Sequence, residues 1–94
     1  MADDRAEEEL LEALRQLRVS DVLVQALSTV SSLAYHRLSE ADRDLEQARL
    51  AIEALRVLLP VLEGAVPPDL VRDFQQVTAN LQLAYADALP PAAS

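Results

Sequence analysis

The chain has no cysteine, no lysine and no tryptophan, and only one glycine, one histidine and three aromatic residues among its 94. Without cysteine it has no disulfide framework, thiol nucleophile or thiolate zinc site. The single glycine, Gly64, leaves no glycine-rich phosphate loop. The single histidine, His36, offers no nucleophile–histidine–acid set, so no enzyme is expected and no cofactor is implied. No segment alternates with period two between hairpin turns, which argues against strands. No apolar run approaches the roughly 20 residues of a membrane helix. The stretch from Met1 to Glu9 is acidic, the opposite of a secretory or organelle-targeting start, so a cytoplasmic place is expected.

Half of the residues are apolar (51%), and Leu, Ala and Val supply almost all of them beside Phe74, Tyr35 and Tyr85. Leu and Ala are strong helix formers. The expected fold class is therefore all-α, a small bundle of three to four helices. Sixteen acids against eight arginines give a net charge of −8. Such a chain repels phosphate backbones, so no nucleic-acid partner is expected. The acidity reads mainly as a solubilising coat, and otherwise as a signal for a basic partner.

Four helical segments follow from the periodicity. The first runs from about Asp3 to Leu17, with acids early and Arg15 and Arg18 late, matching the helix dipole. Its apolar stripe is thin (Leu10, Leu14, Leu17), so residues 1–18 are expected to dock by one edge on a core domain spanning 19–89. The second runs from about Asp21 to Leu38, with Ser20 as N-cap and Val19 stapled on Val24. One broad face carries Val19, Val22, Leu23, Ala26, Leu27, Val30, Leu33 and Ala34. Its opposite face is small, serine-rich and nearly uncharged, which suits close approach by another helix.

Ser39 is expected to open the third segment, from about Glu40 to Leu59 or Glu63. Its polar stripe is narrow: Glu46, Arg49, Glu53 and Arg56. The remaining two-thirds of its circumference is apolar, more than one neighbour covers. Pro60 falls on the polar stripe, where water satisfies the carbonyl it frees, so the helix is expected to kink there and continue to Glu63. Gly64 then supplies a left-handed stop. The fourth segment starts at Pro67-Pro68 and carries Leu70, Phe74, Val77, Leu81, Ala84, Tyr85 and Ala88 on one stripe. The short linker makes the third and fourth segments an antiparallel hairpin. Residues 90–94 read as a disordered tail.

The stretch from Leu45 to Leu89 resembles the C-terminal half of a small bacterial family known as domain of unknown function 1844. Ala48, Ile52, Glu53 and Leu55 match its first helix, Gly64 its turn, and Leu81 and Tyr85 its last helix. The stretch from Val22 to Leu33 is similar to its earlier helix. The turn departs from the family, with Ala65-Val66-Pro67 where Asn-Leu-Thr is usual. The resemblance implies a helical hairpin plus one helix, and no activity.

Other chemistry has a plainer reading at each position. His36 and Arg37 suit the negative end of the second helix. The carboxylate pairs Glu8/Glu12, Asp42/Glu46 and Asp69/Asp73 lie at i, i+4 on solvated faces, without a calcium loop. Size and acidity also suggest an acyl-carrier-like protein, but such carriers present Asp-Ser-Leu where this chain has Ser20-Asp21-Val22. What remains is apolar surface beyond what a chain of this size hides. We therefore expect self-association as a homodimer or higher oligomer, with Val24, Ser28, Ser31, Tyr35 and Leu83 as contact candidates. The alternative is an adaptor for a basic amphipathic segment of another protein.

Overall fold

A computed structural model describes residues 2–91. It contains four helices: α1 (Ala2–Gln16), α2 (Val19–Leu38), α3 (Leu45–Leu62) and α4 (Pro68–Ala88), with no strand among the described residues. The all-α expectation holds. α2, α3 and α4 pack on one another, with α3 sharing its largest contacts with both neighbours. The core is Leu27, Ala34 and Leu38 of α2, Ala48, Ile52, Leu55, Leu59 and Leu62 of α3, and Val71, Phe74 and Leu81 of α4. These positions recur at threes and fours, the spacing that puts side chains on one helical face.

The C-terminal hairpin forms as its local signals dictate. α3 runs through Pro60 and ends at Leu62. Pro60 is exposed, and its own carbonyl accepts from Glu63 N at 3.2 Å. Gly64 takes φ +83°, the left-handed conformation that a side chain resists. The Leu62 carbonyl accepts from Ala65 N (2.9 Å) and Val66 N (3.3 Å), closing the turn. Pro68 occupies the first position of α4, where its missing N–H costs nothing. Residues 63 to 67 are few enough to force α4 back antiparallel along α3.

Three expectations for the other junctions are corrected. α3 starts at Leu45, five residues later than expected, because Ser39 is occupied at the end of α2. The Ser39 backbone N–H and hydroxyl both donate to the His36 carbonyl, at 3.2 and 2.7 Å. Arg43 Nη2 donates to the Leu38 carbonyl (2.9 Å) and Asp44 N to that of Arg37 (2.8 Å), so loop 39–44 satisfies the open carbonyls of α2. Asp44 is the true N-cap of α3, its carboxylate accepting from Gln47 N at 3.2 Å. Likewise α2 starts at Val19, with Arg18 as N-cap and no side-chain cap bond. Ser20 therefore lies inside the first turn, and Val19 is exposed and closes no staple.

The third correction concerns α1. It docks on nothing: among the described residues it touches no other helix, and its residues from Asp3 onward are exposed. Only Leu17 and Arg18 join it to α2. The molecule is consequently long and thin, 68 × 32 × 15 Å. Beyond α4, Pro90 and Pro91 lie outside regular structure, and the rest of the expected tail, 92–94, lies outside the described residues.

Candidate functional site

The bundle covers only part of each broad apolar face. On α2, Leu27 and Ala34 are buried and Leu23 and Val30 half-buried, while Val19, Val22, Ala26 and Leu33 stand in the open. On α3, the core row is flanked by half-buried Ala51, Ala54 and Leu58. Beyond these, Leu50, Val57 and Val61 are exposed. Leu50, Ala54, Val57 and Val61 follow one another at four, three and four residues, and Val19, Val22, Ala26 and Leu33 keep the same heptad rhythm. That rhythm is how a helix presents a seam to another helix.

Leu33 of the one row and Leu50 and Ala54 of the other meet in a groove between α2 and α3 of about 340 Å³, while Val22 and Ala26 line a separate hollow beside Leu17. Val30, Leu33 and Ala34 wall one side, Leu50, Ala51 and Ala54 the other, and Arg37 and Gln47 close one end. The short loop 39–44 returns α3 antiparallel along α2, on which it packs. The lining is aliphatic with a single cation. The exposed side chains Val22, Leu33, Leu50, Val57 and Val61 keep between 50% and 61% of their surface uncovered.

The whole molecule, with α1 undocked, is also more exposed than a compact domain. A folded chain of 10.3 kDa has a surface of about 5,400 Å² by the usual scaling, against 7,091 Å² here. The Cα radius of gyration is 17.9 Å, against about 12 Å for a compact domain of this length. A standard protein–protein interface covers about 800 Å² per partner. The surplus of roughly 1,700 Å² per chain is therefore more than one such interface needs.

The five contact candidates do not converge. Val24 is half-buried and packs against the core. Ser31 is buried within the bundle, its hydroxyl donating to the Leu27 carbonyl at 2.8 Å, so it is not surface at all. Ser28 is exposed and donates to the Val24 carbonyl at 2.9 Å. Tyr35 is exposed on the same flank, away from the groove. Leu83 is exposed on α4, opposite its buried row. The leftover surface thus lies on the other flank of α2 from the serines. Leu33 lies on the apolar face read for α2, and Leu50, Val57 and Val61 lie on the apolar two-thirds of α3, where the run 50/54/57/61 is the signal of a seam.

Polar groups offer no rival site. The described ion pairs Glu12–Arg15, Glu53–Arg56 and Asp69–Arg72 are exposed i, i+3 pairs at 3.2 to 3.5 Å, a class worth little. Glu53–Arg56 is the part of the expected α3 charge stripe that closes. Among the described residues no three His, Asp or Glu side chains gather where a metal could sit. The buried hydroxyls are satisfied locally, Thr78 Oγ1 donating to the Phe74 carbonyl at 2.7 Å. No described helix is long and apolar enough to cross a membrane. Comparison with protein-family models, curated proteins and solved structures returns no match.

Proposed function

We propose that this chain is a non-enzymatic helical module that self-associates as a homodimer through the apolar face shared by α2 and α3. The observation that carries the reading is the set of apolar side chains on α2 and α3 that the bundle leaves uncovered, Leu33 and Leu50 among them at the groove. Val22, Leu33, Leu50, Val57 and Val61 together leave about three side chains' worth of apolar surface open. Covering it contributes on the order of 4–8 kcal/mol per chain. Two chains contribute about twice that, against an association cost of roughly 4–15 kcal/mol. The gain and the cost are of the same order.

The lining of the groove also weighs against the adaptor reading. A site for a basic segment would carry acids at its rim, yet the polar residues lining this groove are Arg37 and Gln47. The six acids of the N-terminal helix lie on the undocked arm instead. Size-exclusion chromatography with light scattering tests the proposal. A mass near twice 10.3 kDa at micromolar concentration supports it, and a monomer throughout refutes it.

A further inference from the structure

We infer that α1 is an exchange arm whose leucines seat in the α2–α3 groove of a second copy; this rests on the self-association proposed above. Two of the apolar surfaces that lack a partner match one another. One is the groove. The other is the stripe of α1, where Leu10 and Leu14 are 61% and 54% exposed and no other helix is near; Leu17, just past its end, borders Val22 and Ala26 of α2. They match in length, since Leu10 to Leu17 and Val30 to Arg37 each span about 10 Å of helix.

The hinge decides between the chain's own groove and another's. If α1 folded back along its own α2 from the Leu17–Arg18 joint, Leu14 and Leu10 would lie about 6 and 12 Å along α2. The groove residues of α2, Val30 to Arg37, lie about 18 to 28 Å from the same joint. The leucines would stop short at Val22 and Ala26. Asp3 and Asp4 would be laid over Leu33 instead, carboxylates against an aliphatic wall. Folding back would cover Val22 and Ala26 but lay Asp3 and Asp4 on the groove, so leucines reach the groove itself only from another chain. Charge agrees with this: α1 carries six acids and two arginines, and the groove ends on Arg37. The area agrees too, because an arm given and an arm received per chain draws on the surplus of both surfaces.

The absence of native cysteine makes a direct test simple. Ala13→Cys places a thiol beside the α1 stripe, and Ala54→Cys places one in the groove, both with little change in size. The two full-length variants are mixed and treated with a short thiol-specific crosslinker, and masses are read under denaturing conditions. The mixture is expected to give several-fold more crosslinked dimer than either variant alone. Dimer from A13C alone at the yield of the mixture means that α1 pairs with α1, and overturns the inference. An intrachain link at monomer mass in an A13C/A26C double variant, the pair that folding back would bring together, overturns it as well. Light scattering on the same samples separates the two levels. A dimer by mass without a 13–54 link removes the arm and leaves self-association standing, and a monomer removes both.

Discussion

Truncating the exposed leucine on each wall of the groove, L33A/L50A, isolates the proposed contact from the fold. Leu33 is 50% and Leu50 58% exposed, so the pair leaves about one whole leucine side chain uncovered per chain. Covering that surface contributes roughly 1.5–3 kcal/mol, and truncation to alanine removes about two-thirds of it. In a two-fold dimer the loss occurs on both chains and reaches about 2–4 kcal/mol. The dimer dissociation constant should rise roughly 30- to 700-fold. Sedimentation velocity or light scattering over a dilution series reads this directly. The same substitutions should cost the isolated fold less, about 0.5–1 kcal/mol each, because about half of each side chain is covered in it. Urea unfolding below the dissociation constant checks that half. Unchanged dimer affinity would refute the reasoning, as would a loss of monomer stability as large as the loss of association.

Three further outcomes test the fold. Leu55 is fully buried at the centre of α3, so Leu55→Ala should cost about 2–5 kcal/mol in chemical denaturation, enough to threaten folding in a chain this small. Asp44→Ala removes the carboxylate that accepts from Gln47 N and should cost about 0.5–2 kcal/mol, whereas Asp42→Ala, which caps nothing, should be neutral in the same urea titration. A Cβ at Gly64 would meet no atom within 4 Å, so Gly64→Ala should cost only its left-handed backbone, about 1–2 kcal/mol, read as a lower thermal midpoint.

Legibility in the sequence followed the range of the forces involved. The α3–α4 hairpin could be read residue by residue, because Pro60, Gly64 and Pro68 act on their own backbone and need no partner. The all-α class and most of the core rows were legible for the same reason, each being a property of one helix. Caps were less so. Ser39 and Asp44 both have capping chemistry, and only the geometry of loop 39–44 assigns Ser39 to the end of α2 and Asp44 to the start of α3. Aspartate at 44 with glutamine at 47 was a visible sign, obscured by the nearer serine.

The surface was least legible, because burial is decided by neighbours. Periodicity marked Leu33 and Leu50 as apolar-face residues, correctly, but a helical wheel does not tell which half of a broad face a third helix reaches. The neutral serine flank of α2 looked available for contact, whereas Ser31 there is buried and its hydroxyl is turned back on the Leu27 carbonyl. α1 looked able to dock, since its stripe of leucines is real. Its two-residue joint to α2 is not a sequence motif, and the register it imposes appears only when distances along both helices are compared.

The central claim, that the α2–α3 face is an interface between copies of this chain, is tested most directly by molar mass in solution. Light scattering across a dilution series from high micromolar to nanomolar concentration should give a plateau near twice 10.3 kDa that falls toward 10.3 kDa on dilution. A mass of 10.3 kDa at every concentration would contradict it.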